Sequence, residues 1–170
     1  MQRRDRRRPP RTRAARRARG AAAVEFAIVF LAFFMLLWGI LTYGFAFAAQ
    51  QIVTLAAQNG VRAALRYQPA TNAVAARQAR TQAARAAARE SLDWLTRVHA
   101  NFDADAAVTA AWTTCPYQAQ WECVSVAVRY PYAERPLIPP LPGLQRMLPD
   151  QLTGSATMQV DPDHLLTPGT

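Results

Sequence analysis

Polar residues all but vanish between Ala21 and Ala49, where 25 of 29 positions are apolar and the exceptions are Glu25, Gly39, Thr42 and Gly44. From Phe26 to Ala49 no residue is charged. Those 24 positions extend about 36 Å as a helix, enough to cross a hydrocarbon core of roughly 30 Å with some tilt. A buried core helix of a soluble protein rarely runs this long without a polar face, so the pattern predicts a transmembrane helix.

The pattern then changes period. Gln50 to Tyr67 can continue the same helix, with Val53, Ala57, Gly60 and Ala64 on one face at helical spacing. Pro69 ends it, and Asn72 is placed to cap a second helix running to about Ala100. Ten of the twenty residues 70–89 are Ala, so helix propensity there is high. Arg77, Arg80, Arg85 and Arg89 spread over about half of that helix and read as a solvated face. Arg89, Asp93 and Arg97 form an i, i+4 ladder. Leu92, Trp94, Leu95 and Val98 supply an apolar anchor at its end. Beyond it, Ala106–Thr113 reads as a strand. Glu122 to Tyr130 alternates Val124, Val126 and Val128 with Ser125, Ala127 and Arg129, a half-buried strand. Pro131 to Pro149 holds six Pro in 19 residues and reads as an ordered loop. Thr153 to Val160 alternates again as a third strand, and Asp161–Thr170 is a tail. The fold class expected is α+β: a long N-terminal membrane helix, then a helix and a small antiparallel sheet. The organisation is a leader at 1–20, a membrane helix at 21–49, a helical segment at 50–100 and a β-rich segment at 101–170.

Charge sharpens this picture. The formal net charge is +9, and all 20 basic residues are Arg. Ten of them lie in residues 1–19 against one acid, Asp5, whereas residues 20–170 balance ten Arg with ten acids. A basic arm directly before an apolar span, with no such cluster after it, predicts a cytoplasmic N-terminus and an external C-terminal part. Ten Arg with no interleaved aromatic residues would give a salt-dependent phosphate affinity, but adjacency to the membrane span makes topology and anionic lipid contact the simpler explanation than nucleic-acid binding. A twin-arginine signal fails because Arg16-Arg17 is followed by Ala18-Arg19-Gly20. A signal-peptidase cut after Ala46-Phe47-Ala48 would need an apolar region of over twenty residues, well beyond the usual length of about 7–15.

Candidate chemistry is sparse. Cys115 and Cys123 flank a turn-like stretch with Pro116, and outside the cytoplasm they are expected to form a disulfide. The alternative is two buried free thiols. Zinc is a poor match, with no CxxC pair and no nearby His. His99 and His164 are far apart, and Asp103 with Asp105 reads as a turn. No phosphate loop or nucleophile elbow is present. The expectation is a non-enzyme with no catalytic residue, no metal, no cofactor and no small-molecule substrate.

Glu25 is the exception within the apolar stretch. An acid near a helix start is favoured by the helix dipole, but its context says more. A basic leader, Gly20, four small or apolar residues and then Glu25 in an apolar helix resembles the opening of type IV prepilins. Arg19-Gly20-Ala21-Ala22-Ala23-Val24-Glu25-Phe26-Ala27-Ile28-Val29 is similar to the TadE-like family, minor pseudopilins of the tight-adherence (Flp) pilus machinery. The similarity continues through Leu36-Leu37-Trp38-Gly39-Ile40, Tyr43-Gly44 and Ala56-Ala57-Gln58-Asn59-Gly60-Val61-Arg62-Ala63-Ala64. It covers roughly residues 16–67 and is limited to strand pattern beyond. The chain lacks the Pro that family members often carry a few residues into the helix, which leaves the motif intact and removes the reason to expect a kink. It is also too short for the large extra domain of the related TadG-like proteins.

The resemblance implies cleavage by a prepilin peptidase between Gly20 and Ala21, on the cytoplasmic side. Glu25 would become the fifth residue of the mature chain, and its carboxylate would pair with the new α-amino group when helices bundle, with Phe26 beside it in the assembly helix. It implies an inner-membrane, single-pass protein whose partners are the membrane, the peptidase, other pilins or pseudopilins and the pilus assembly platform, with no nucleic acid. The competing readings are an uncleaved membrane-anchored scaffold or binding protein of the envelope, and an anchored hydrolase, which the lack of a nucleophile–base set disfavours.

Overall fold

The computed structural model describes residues 13–141 and 143–161. The Arg-rich leader through Thr12 and the tail with His164 lie outside the described residues. In chain order the elements are α1 (Arg13–Leu65), α2 (Ala73–Ser91), α3 (Asp93–Val98), α4 (Ala104–Ala107), β1 (Val108–Cys115), β2 (Gln118–Tyr130), a 3-10 turn (Leu144–Met147) and β3 (Leu152–Val160). This is an α+β architecture. The chain divides into two units, residues 1–41 and 42–170.

In the first unit α1 is exposed over residues 20–37 and part-buried at Trp38 and Gly39. Its large apolar side chains stand open, with Phe26 70% and Leu36 62% exposed. A helix that is apolar all round and has no protein partner needs an apolar solvent. It fits a single-pass membrane anchor.

The second unit folds around the remainder of α1. Three antiparallel strands lie in the order β1-β2-β3, and Val126 is flanked by Ala110 and Ala156. One sheet face carries Val108, Val124, Val126, Val128 and Tyr130 into the core. The other carries Thr109, Ser125, Ser155 and Thr157 toward water, the alternation expected of a one-sided antiparallel sheet. The expected stripe of Val53, Ala57, Gly60 and Ala64 is buried in full, joined by Ala46, Ala49, Ala56 and Val61. From α2 come Ala76, Ala84 and Ala88, and from its end Leu92 and Leu95.

Small residues here serve close approach. A Cβ on Gly60 would stand 3.0 Å from the Ala84 carbonyl oxygen and 3.0 Å from Val126 Cγ1. At Gly154 there is no room at all: a Cβ would fall 2.5 Å from the Val53 carbonyl oxygen. The β3 backbone therefore rests on the α1 backbone, and Gln50 Nε2 donates to the Thr153 carbonyl at 2.8 Å beside that contact.

Asn72 caps α2 as expected, its Oδ1 accepting from the Ala75 N–H at 2.9 Å. Four details of the helical segment differ from the sequence reading. The second helix breaks at Leu92 and resumes as α3, so Leu92 and Leu95 turn inward while Trp94 and Val98 stay 40% and 46% exposed. Residues Ala104–Ala107 form α4 before β1 begins, with Asp103 Oδ1 accepting from the Asp105 and Ala106 N–H groups as its cap. The Arg row is not uniformly solvated. Arg80 is buried with Ala76 and Ala84 on the inner face of α2, where burial lowers its pKa, and Arg77 pairs with Glu122 of β2. The charge ladder keeps its Arg97–Asp93 rung, but Arg89 pairs with Asp105 instead.

The Pro-rich loop is ordered by defined bonds. The Tyr130 hydroxyl donates to the Arg135 carbonyl at 2.8 Å, the Ala133 N–H to the Asp150 carbonyl at 3.0 Å, and the Tyr43 hydroxyl to the Met147 carbonyl at 3.2 Å. Phe102 meets the Tyr130 ring edge-on at 5.0 Å between centroids.

Two outcomes follow from this packing. Gly154→Ala must push β3 off α1 and should cost on the order of 2 kcal/mol or more. Gly44→Ala, where a Cβ meets nothing within 4 Å, should leave stability equal or higher. Thermal unfolding of the two variants in detergent micelles compares them directly. Separately, burial pushes the Tyr130 hydroxyl up to about 12, opposed by the nearby Arg135 charge and reinforced by Tyr132. Burial also raises Tyr132, opposed by the Leu137 backbone N–H. A tyrosine raised on folding contributes stability that is fully present below its unfolded pKa near 10 and is lost as pH climbs through the folded value. The protein should therefore lose stability between about pH 10 and pH 12. Tyr130→Phe, although it forfeits about 1 kcal/mol with the Arg135 bond, should flatten that slope in an alkaline denaturation series.

Candidate functional site

The residues singled out in the sequence fall in two places. Gly20, Ala21, Glu25 and Phe26 lie within α1 in the first unit, all exposed. Cys115 and Cys123 lie at the β1–β2 hairpin in the second.

Around Gly20 the backbone is helical, and a Cβ there would meet nothing within 4 Å. No packing within the described residues calls for glycine at this position. Ala21, Ala22 and Ala23 leave the next turn equally uncrowded. At about 100° per residue, Ala32 and Gly39, seven and fourteen positions on, return within about 40° of Glu25. Val29 and Leu36, four and eleven positions on, fall in the same sector, so the carboxylate heads a face of mixed size, small at Ala32 and Gly39 and aliphatic at Val29 and Leu36. Nearly opposite runs an aromatic ladder: Phe26–Phe30 and Phe30–Phe34 stack with centroids 5.8 and 6.3 Å apart, and Phe34–Trp38 meet tilted at 5.7 Å. The clustering of Phe in this stretch is plain in the sequence. Its i, i+4 spacing was the unused signal that the rings align on one side.

At the hairpin, Cys115 and Cys123 are joined by a disulfide with Cα atoms 5.0 Å apart. Cys123 faces Thr113 and Cys115 faces Gln118, with the register shifting between Thr114 and Cys115. The bridge therefore clamps an irregular hairpin end where ladder pairing slips. Both sulfur-bearing residues are buried, while Tyr117 at the turn is 94% exposed. The Arg77–Glu122 pair and a bond from Trp112 Nε1 to Thr81 Oγ1 at 3.0 Å tie the same strands to α2.

His99 packs beside Tyr130 with ring centroids 6.4 Å apart, and Asp103 is occupied as a helix cap. Among the described residues, no three His, Cys, Asp or Glu side chains gather as a metal site would require.

Comparison with known proteins singles out the first of the two places. A family model described as TadE-like protein matches residues 20–62. Residues 20–62 are TadE-like. The match covers about a quarter of the chain, opening at Gly20, running through Glu25 and the aromatic ladder, and ending on the small-residue face at Gly60 and Val61. It points to a Tad pilus-associated protein. No curated protein and no solved structure matches the chain.

The hairpin clamp yields a direct test. Replacing both Cys115 and Cys123 by Ser frees a loop of eight residues' separation, and the chain-entropy relation puts the loss at about 2.5 kcal/mol. The double variant should melt lower than the oxidised parent, and a reductant should lower the parent's melting temperature but not the variant's.

Proposed function

We infer that this is a TadE-like minor pseudopilin: a non-enzymatic, membrane-anchored component of tight-adherence pilus assembly, cleaved after Gly20 by a prepilin peptidase. The observation that carries the reading is the conjunction of Gly20 and Glu25 inside the matched segment. Each is exposed, and among the described residues no packing calls for glycine at Gly20 and no ion pair engages Glu25. A glycine inside a helix weakens it by about 1 kcal/mol relative to alanine, which suits a bond that must unwind to enter a peptidase. Cleavage would create an ammonium group at the head of an apolar helix. Glu25, four residues on, would neutralise that charge on a neighbouring helix and so fix axial register.

Topology follows from the arm. Ten Arg among residues 1–19 hold the leader on the cytoplasmic side, and the disulfide suits the α+β unit to an oxidising compartment outside. The inner membrane, the peptidase, other pilins or pseudopilins and the assembly platform are then its partners. An uncleaved anchor that scaffolds another envelope complex shares the topology and leaves Gly20 and Glu25 without a role.

Intact mass and N-terminal sequencing of the protein from membranes of its native host decide between these readings. A chain beginning at Ala21 is expected, and one beginning at Met1 in a host with an active prepilin peptidase would remove the pseudopilin reading. Gly20→Arg should abolish the cut, while Glu25→Ala should still be cut and should assemble poorly in a co-purification with pilus components.

A further inference from the structure

We propose that the Pro-rich loop carrying the 3-10 turn Leu144–Met147 is a membrane-contacting element, seated in the outer interfacial layer of the bilayer beside the last turns of the apolar stretch. The proposal rests on the membrane-anchor reading of α1 and adds a second lipid contact to it.

The starting point is the bond from the Tyr43 hydroxyl to the Met147 carbonyl. Tyr43 lies six residues inside the end of the apolar run that closes at Ala49, before Gln50 and Gln51, or about 9 Å along a helix. The interfacial layer on each side of the hydrocarbon core is about 5–8 Å deep. Met147 is therefore held at a level where the helix is still suited to lipid.

Exposure around that level is one-sided. Thr42, Ala46 and Ala49 are buried against the folded unit, whereas Phe45 and Phe47 on the same turns are 41% and 67% exposed. Met147 is 65% exposed. If the bilayer ended below this level, two Phe and a Met would stand in water together. Seated in the interface, the same side chains meet acyl chains, Tyr43 takes the depth favoured by tyrosine, and exposed Arg146 can reach lipid phosphates.

The loop's backbone is suited to that place. A polar backbone group without a partner is costly in lipid. Six prolines between Pro131 and Pro149 have no N–H to satisfy. The Ala133, Arg135 and Leu148 N–H groups bond to the Asp150, Pro131 and Gln145 carbonyls, and the Met147 carbonyl is taken by Tyr43.

A nitroxide depth measurement on the full chain in phosphatidylethanolamine–phosphatidylglycerol vesicles tests this. The native cysteines are bridged, so without reductant a label goes only to an introduced thiol. Met147→Cys reports on the loop, Phe34→Cys on the helix and Tyr117→Cys on the hairpin turn. The expected result is a ratio of oxygen to nickel-chelate collision at 147 severalfold above that at 117, with 34 higher still. Lipid contact at 34 with free chelate access at 147 would overturn the proposal and leave the anchor standing. Chelate access at both 34 and 147 would overturn the anchor reading and the proposal together. A label at 147 shielded from both reagents would mean that a second protein surface, not lipid, covers the loop, and would also overturn it.

Discussion

The folded unit depends on how closely other backbones can come to α1. At Gly154 the strand rests on the helix backbone at Val53, and at Gly60 the helix admits α2 to within contact of Ala84. Large side chains at these positions would hold the layers apart and leave a sheet of three strands with nothing to cover. The core that results is built from backbone proximity, alanine methyls and a row of β2 valines. Such a core gains through dense packing of small groups more than through large buried side chains, and the two largest fully buried side chains, Tyr130 and Tyr132, lie at its margin where the loop begins.

This packing gives one helix two solvents. From Gly20 to Leu37 the helix is exposed, and from Thr42 it is the central element of a protein core. The change of environment appears in residue size as much as in polarity. Phe, Leu and Met dominate the first part; Ala, Gly and Val line the inner face of the second. A disulfide at the hairpin and ion pairs from Arg77 and Arg89 fasten the periphery, so the small core does not act alone. Of these, Arg77–Glu122 is the better shielded, and Arg97–Asp93, on the exposed α3 surface, adds little.

Periodicity made much of this legible. The apolar span, the stripe from Val53 to Ala64, the Asn72 cap, the alternation of β2 and the third strand are all local signals with a fixed period, and the fold follows them. The TadE-like match is likewise local, confined to residues 20–62. The failures have a common cause. Arg80 reads as solvent-facing by residue type, yet its position on α2 is fixed by Ala76 and Ala84, which pack inward and carry it with them. Arg89 reads as part of a helical ladder because Asp93 sits four residues on. The break at Leu92 moves Asp93 off that line, and α4 brings Asp105 within reach instead. A break set by two leucines turning inward has no period to announce it. The bond from Tyr43 to Met147, across more than a hundred residues, has no local trace at all.

Charge links the two ends of the functional reading. On the proposed reading the ten Arg residues of the leader set orientation, while residues 20–170 balance ten Arg with ten acids. A permanent cationic arm at the base of a helix bundle would repel every neighbouring copy of itself, most strongly at low ionic strength. The proposed cleavage after Gly20 would remove that repulsion and substitute a single ammonium group, which Glu25 could neutralise. On that reading the same sequence would serve insertion while the leader is present and close helix packing once it is gone. An acid at the fifth position past the proposed cut, away from the aromatic ladder, is what that exchange would require.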